Sequence, residues 1–413
     1  MIPPDPQHPR FPEWQLLSQI HDQPELIARA AEALPGQELA LQKHLREHWP
    51  EGWVRCAFAL ADARRRGVEK FRLAGQMWFD RKGLEQATPE EVARHKARRF
   101  TGHVYDLCCG IGGDALALAE SCNVTAVDLD PCACLRTEWN AGVYHVADRV
   151  VAECGDATRV DVGTSLVHLD PDRRQSGQKS VRLEDYAPGP AFLQELLQTA
   201  RGGAIKLSPA ANFVGRFPEA EIELVSLRGE CKEATVWFGE LAGIDPWRAT
   251  VLPEGATLAG NPLEQVADLA PPGRYLYDPD PAVVRAGLVD LAAVTLGLGR
   301  LDLREEYLTG DALVESAFVQ AFEVLAVLPN NPAEIRDYFR RSTFGQVEIK
   351  CRHVPVQAEE MRRKLPLPGQ DPGVLVIARI AGRARGVVCR RIASRRPTNR
   401  PPWADATGRT PLV

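Results

Sequence analysis

The stretch that most constrains this chain is VYDLCCGIGGDALALA, residues 104–119. An apolar run ends in an acid, a glycine-rich turn follows, and an Ala/Leu helix pattern begins. Gly110, Gly112 and Ala115 fit the G-x-G-x-x-G/A spacing of a strand–turn–helix unit built around a nucleotide-like ligand. From residue 103 onward short apolar runs alternate with helical patterns: HVYDL, DALALAES, NVTAVD, PCACLRTEWNAGVYHV, RVVAEC, SLVHLD, AFLQELLQTA and GAIKLS. That alternation predicts βαβ units and a mostly parallel sheet, an α/β fold. AEIELVSLR and EATVWFGEL then follow with no helix between them and read as a closing antiparallel hairpin at one sheet edge.

Three acids share one kind of position. Asp106 ends the first expected strand, Asp128 ends the next, in VTAVD, and Asp156 follows the third, in ECGDA. A carboxylate at the first place accepts a hydrogen bond from an ammonium group. One at the second binds both hydroxyls of a ribose, and one at the third receives an exocyclic adenine amine. Cys108, Leu129 and Ala157, their chain neighbours, and Asp170 after the fourth strand belong to the same candidate cofactor pocket. A single aspartate at such a place can be a helix cap and nothing more. Three around one glycine turn describe a ligand with an amino-acid end, a ribose and an adenine. S-adenosylmethionine is the expected cofactor, with a nicotinamide dinucleotide as the rival.

The next strand ends in VHLDPDRRQSG, residues 167–177, which leaves Asp170, Pro171, Asp172, Arg173 and Arg174 with nothing apolar to pack. In a sheet of this kind the ligand crevice lies outside the carboxyl ends of the strands. Asp170 is expected to orient an amine or hydroxyl by accepting its hydrogen. Pro171 shapes the turn, and Arg173 and Arg174 are expected to grip a phosphate or carboxylate, or else to brace the loop against Asp172 or Glu184. Lys206 and Ser208 in IKLSPAANF line the pocket or serve the structure. Asn212 and Phe213 border the acceptor site, Phe213 as a stacking surface or as core. His168 reads as a packed histidine and His95 as a surface one.

Elsewhere the organisation is coarser. Residues 12–66 read as helices rich in Ala, Leu, Glu and Arg. QATPEEVARHKARRF predicts a helix start with Thr88 as cap, Pro89 at the first helical position and Glu91 closing a capping box. Residues 242–273 are rich in Gly, Pro and Ala and read as connecting chain. DPDPAVVRAGLVDLAAVTLG opens a helix at Asp280-Pro281. NPAEIRDYFRR, QVEIKCR, a helix near 357–364, GVLVIARI and RGVVCRRI then make a small α+β module. The expected domains are 1–100, 101–245, a linker 246–273, a module 274–393 and a disordered tail 394–413.

Charge is uneven. Residues 215–315 carry 18 acids and 8 bases, whereas 331–403 carry 16 bases and 6 acids. The second asymmetry suggests an anionic partner for the C-terminal module, with Lys350, Arg352, Arg362, Arg363 and Lys364 as candidate contacts. The alternative is a solvated surface. The ten cysteines form no C-x-x-C pair, and with no cationic-then-apolar start or membrane-spanning run the expectation is a cytoplasmic protein with free thiols and no metal site.

On these motifs the sequence resembles class I S-adenosylmethionine-dependent methyltransferases, and within them the trimethylguanosine synthase branch of RNA cap guanine-N2 methyltransferases. DLCCGIGGDALALA, VTAVDLDP and NAGVYHVADRVVAECGDA carry the likeness, which begins upstream at MWFDRKGLEQATPEEVARHKARRF and runs to GECKEATVWFGEL. YDPDPAVVRAGL, YLTG and EIKCR resemble the THUMP-like domain found behind such enzymes in bacteria. The resemblance implies a Rossmann-like seven-stranded sheet with a reversed last strand, and Asp106, Gly110, Gly112, Asp128 and Asp156 as cofactor contacts. Base-amine methyltransferases usually follow this strand with Asp or Asn, two prolines and an aromatic residue. Here Asp170 and Pro171 match, but Asp172-Arg173-Arg174 replaces the remainder. Three function classes follow: a methyltransferase of RNA gripped by the C-terminal module, a methyltransferase of a small anionic metabolite, and a non-catalytic protein that keeps the cofactor fold.

Overall fold

Six helices open the chain: α1 (Phe11–His21), α2 (Pro24–Ala31), α3 (Glu38–Leu45), α4 (Glu51–Gly67), α5 (Arg81–Gln86) and α6 (Glu90–Ala97). The structure is a computed structural model that describes residues 3–34, 36–175, 178–392 and 400–404. The chain divides into two units, one of Met1–Ala220, Ala234–Gly243 and Thr398–Val413, the other of Glu221–Glu233 and Ile244–Pro397.

In the first unit the alternating pattern becomes β1 (His103–Leu107), α7 (Gly113–Leu118), β2 (Asn123–Asp128), α8 (Pro131–Val143), β3 (Val150–Cys154) and β4 (Leu166–Leu169). After them come the two-residue strands β5 (Arg174–Gln175) and β6 (Gln178–Lys179), then α9 (Pro190–Thr199) and β7 (Gly202–Leu207). Strands β3, β2, β1, β4 and β7 lie side by side in that order, all parallel. β9 (Glu230–Gly239) pairs antiparallel with β7. β4 is buried at all four positions, which is why LVHL reads as a continuous apolar run rather than an alternation.

The N-terminal helices are not a separate region. Phe71, Met77, Phe79 and Ala93 share one buried cluster with Val104, Leu116, Val124 and Trp237. Val54, Phe58 and Trp78 share another with Cys132 and Leu135 of α8. Each fully buried side chain of this size contributes about 1.5–3 kcal/mol, so these helices and the sheet stabilise one core. The capping box expected at 88–91 is absent: α6 begins at Glu90 without a side-chain cap. Thr88 bonds Asp114 instead.

In the second unit β8 (Glu221–Leu227) pairs parallel with β10 (Trp247–Leu252), which pairs antiparallel with β11 (Ala256–Gly260). Two expectations change. AEIELVSLR is not an edge strand, and residues 247–260 are a paired hairpin rather than a linker. Between its Gly and Pro residues this stretch holds two β-forming runs, and Thr250 hydrogen-bonds the buried Glu223.

Asp280 does cap a helix, as expected. It accepts from the Ala282 N–H, and the helix breaks at Gly287 into α10 (Pro281–Arg285) and α11 (Val289–Leu296). The module's sheet comprises β12 (Tyr275–Pro279), β13 (Gly299–Arg300), β14 (Leu308–Gly310), β15 (Val319–Pro329), β16 (Phe344–Cys351), β17 (Asp371–Ile380) and β18 (Arg383–Arg391). Its order is β13-β14-β12-β15-β18-β17-β16. Along β17, Val374, Val376 and Ala378 enter one buried cluster, and Leu375 and Ile377 enter another on the opposite face. α12 (Pro332–Arg340) contributes Ile335 and Phe339 to the second cluster. α13 (Ala358–Lys364) follows β16.

The ten cysteines are free. Among the described residues no helix is long and apolar enough to cross a membrane. Of the tail expected to be disordered, 394–399 and 405–413 lie outside the described residues. Residues 400–404 are placed on the first unit, where the Trp403 indole N–H donates to Val68 O at 2.8 Å.

Candidate cofactor and acceptor site

The glycine turn sits at the carboxyl end of β1, and its backbone explains its composition. Gly110 and Gly112 have φ of +56° and +87°, the left-handed region that glycine occupies without strain. A Cβ on Gly112 would come within 3.0 Å of Thr137. Thr137 meanwhile donates to Gly110 O at 3.0 Å and pins the turn to α8. Asn140 braces it from the same helix, donating to Ile111 O at 3.0 Å. Gly83 packs against the turn so closely that a Cβ would lie 2.5 Å from Ile111 Cγ2.

The three acids stand at the carboxyl ends of the neighbouring strands β1, β2 and β3. Asp106 is buried. Its Oδ1 accepts from His168 Nδ1 at 2.7 Å, and its Oδ2 is buried with no hydrogen-bond partner among the described residues. A buried carboxylate oxygen with no donor is uncommon, and a ligand's donor would satisfy it. Asp128 accepts Gly110 N–H on Oδ2 and Asp130 N–H on Oδ1, both at 2.9 Å. Burial raises its pKa against those two bonds. Beside it the Leu129 side chain is exposed, an apolar surface next to a carboxylate. Asp156 is exposed and accepts from Thr158 Oγ1 and Thr158 N–H, bonds that lower its pKa. Ala157 next to it is buried. Cys108, in the turn, is pushed up by burial and then by the charges of Asp128, Asp170, Asp106 and Asp172. The turn therefore lies in a negative field, which suits a cationic ligand. An ammonium donor fits the orphaned Asp106 oxygen. A pyrophosphate, with no donor of its own, does not.

At the end of β4, Asp170 Oδ2 meets Lys206 Nζ of β7 at 2.6 Å, and Lys206 Nζ also lies 3.4 Å from Gln86 O. Pro171 is buried. Asp172 is held by Lys82 at 3.1 Å and by Gln86 Nε2 at 3.0 Å, and its backbone exchanges two hydrogen bonds with Ala187. The Tyr186 hydroxyl accepts from Ser208 N–H at 3.2 Å, and the charge of Arg173 acts on it. Neither arginine brace imagined from sequence is present for Arg173: Lys82 holds Asp172, and Glu184 pairs with Arg216 at 2.7 Å. Arg174 opens β5, and the role expected of its guanidinium lies outside the described residues.

Other candidates land elsewhere. Phe213 is completely buried, so it offers no stacking surface. Asn212 is exposed and accepts from Leu183 N–H at 2.8 Å. In the second unit Lys350 and Arg352 both pair with Asp278, at 3.0 and 2.7 Å, and Arg352 also with Glu306 at 3.4 Å. They are tied into the module rather than presented from it. Arg362, Arg363 and Lys364 of α13 are exposed, with Arg362 paired to Glu359 and Lys364 to Glu360 of the same helix.

Sequence reading missed the buried partners behind the turn. His168, read as packed, bonds Asp106. Lys96, Asp114 and Thr88 continue the network behind it, and Lys82 and Gln86 join the acceptor side. One signal was available: on adjacent parallel strands Asp106 pairs in register with His168, and His168 lies two residues before Asp170.

Comparison with known proteins agrees with this geometry. Residues 101–186 match the family model for RNA cap guanine-N2 methyltransferase, and residues 319–391 match THUMP domain-like. An uncharacterized S-adenosylmethionine-dependent methyltransferase of Mycobacterium tuberculosis, strain H37Rv, is 36% identical over 318 residues, 74% of this chain and 85% of that protein. Its counterpart in strain CDC 1551 matches to the same extent. A crystal structure of a protein assigned as a methyltransferase from Porphyromonas gingivalis W83 superposes with a TM-score of 0.71. It shares 18% identity over 92% of this chain and 99% of that one, so it has the same fold.

Proposed function

The chain belongs to the S-adenosylmethionine-dependent methyltransferases, and on that premise we propose that its substrate is RNA, methylated on a base amine or other nucleophile held at Asp170. The cofactor supplies an electrophilic methyl group when bound. Asp106 Oδ2 takes its ammonium, Asp128 its ribose hydroxyls and Asp156 its adenine amine, with Leu129 as an apolar surface beside the base. Gly110 and Gly112 keep the turn free of side chains. Asp170 accepts the hydrogen of the acceptor group and so turns a lone pair toward the methyl, which requires an approach of about 3–3.5 Å. Lys206 fixes the Asp170 carboxylate for that task.

The RNA part rests on one observation above the others. The region that matches the THUMP domain-like model presents Arg362, Arg363 and Lys364 to solvent on α13. Exposed ion pairs such as those with Glu359 and Glu360 are screened by water and add little stability, so phosphates displace the carboxylates at little cost. The match of residues 101–186 to an RNA methyltransferase model supports the same reading. The test is methyl transfer from labelled cofactor into total RNA and, separately, into a small-metabolite extract. Label in RNA is the expected result. Label only in the metabolite fraction overturns the RNA reading and leaves the methyltransferase assignment standing.

A further inference from the structure

We propose that His168, itself held by Lys96, is a positioning residue for the cofactor's ammonium group: it keeps Asp106 ionised and turned so that Oδ2 faces the ligand. This rests on the reading of Asp106 as the ammonium acceptor. The two residues are register partners on β1 and β4. Behind them runs an unbroken polar chain. His168 Nε2 lies 3.3 Å from Lys96 Nζ, Lys96 Nζ lies 2.8 Å from Asp114 Oδ1, and Thr88 Oγ1 donates to Asp114 Oδ2 at 2.6 Å. Asp106, His168 and Lys96 are each 1% exposed.

The chemistry of Lys96 sets the tautomer. An ammonium only donates, so His168 Nε2 must accept and the imidazole proton sits on Nδ1. That proton is the one donated to Asp106 Oδ1, which leaves Oδ2 without a partner among the described residues. The groups facing Asp106 divide sharply. Burial raises its pKa, His168 opposes this through its hydrogen bond, and Asp114 of α7 and Asp170 after β4 raise it further. Phe100 stands edge-on to the His168 ring and adds no charge. His168 thus favours the ionised form, and a leucine in its place removes that support, raises the Asp106 pKa further and weakens the carboxyl as an acceptor for the ammonium.

The test compares two ligands by calorimetry on the full chain. S-adenosylhomocysteine carries the amino-acid end, whereas methylthioadenosine keeps the adenosine and sulfur without it. His168→Leu should weaken S-adenosylhomocysteine about tenfold or more near pH 7 and change methylthioadenosine by less than about twofold. The loss should shrink as pH rises, because Asp106 reionises. His168→Asn, whose amide reaches the Nδ1 position, should recover most of the affinity. Equal losses for both ligands, no loss, or a loss indifferent to pH overturns the proposal. Asp106→Asn separates the premise. If it keeps the wild-type preference for S-adenosylhomocysteine, Asp106 is not the ammonium acceptor. If it abolishes that preference while His168→Leu does not, only the role of His168 falls. Should His168→Leu give no cooperative melt, His168→Gln, whose amide reaches the Nε2 side, replaces it with the same expectations.

Discussion

Lys206 Nζ and Asp170 Oδ2 stand 2.6 Å apart across the carboxyl ends of the neighbouring strands β4 and β7. The acid proposed to hold the acceptor is therefore already fixed by a cation from the next strand. The three acids around β1, β2 and β3 are fixed by other partners: Asp106 by His168, Asp128 by the Gly110 and Asp130 N–H groups, and Asp156 by Thr158. Acceptor and cofactor functions should thus be separable by mutation.

Asp170→Ala should abolish most methyl transfer and leave S-adenosylhomocysteine affinity within about twofold. Lys206→Met should reduce turnover about ten- to hundredfold, the worth of one charge-assisted hydrogen bond of about 1.5–3 kcal/mol, again without loss of cofactor affinity. Steady-state rates with calorimetry on the same preparations check both. A parallel loss of cofactor binding would move these residues out of the acceptor role.

Asp128→Ala removes two acceptor oxygens from the end of β2 and releases the Gly110 and Asp130 N–H groups. Cofactor affinity should fall about ten- to hundredfold. An unchanged calorimetric constant would remove Asp128 from the ribose site.

The buried pair of Lys96 and Asp114 predicts a pH dependence of stability. Burial raises the Asp114 pKa, but Lys96, then His168 and Lys206, outweigh it and hold the carboxyl well below the usual range. A depressed folded pKa stabilises the protein above the unfolded value, about pH 3.9, and the contribution is lost as pH falls through the folded value. Asp114→Asn should cost about 3–5 kcal/mol at neutral pH, because it removes one partner of a buried ion pair. The gap from wild type should narrow as pH drops below about 4. Denaturant melts at both pH values measure it, and a gap independent of pH would mean that the pair is not ionised.

In the second unit the basic residues should separate into two kinds. Charge reversal at Arg362, Arg363 and Lys364 should weaken RNA binding and spare cofactor binding. The slope of log affinity against log salt should flatten by about 0.7–0.9 for each phosphate that is no longer neutralised. Arg352→Ala should instead lower the melting temperature, since its partners Asp278 and Glu306 lie inside the module. Filter binding across a salt series and thermal melts distinguish the two. Absence of RNA affinity at low salt would sink the RNA reading.

The sequence by itself determined the elements whose signals are local. The glycine turn, the strand ends at Asp106, Asp128 and Asp170, and the cap at Asp280 were all legible, because backbone conformation and hydrophobic period are set by residues a few places apart. The same locality misled at Thr88, where capping spacing was present but the side chain found Asp114, and at 247–260, where Gly and Pro masked a hairpin. Tertiary structure alone decided which of several alternatives each polar side chain took. Phe213 went to the core, Lys350 and Arg352 went to acids of their own module, and His168 took Asp106 with Lys96 behind it. The bonds of His168 to Asp106 and Lys96 and of Arg352 to Asp278 join residues 62 to 74 places apart in the chain. A buried charge must find whichever counter-charge folding places beside it, and no local spacing encodes that meeting.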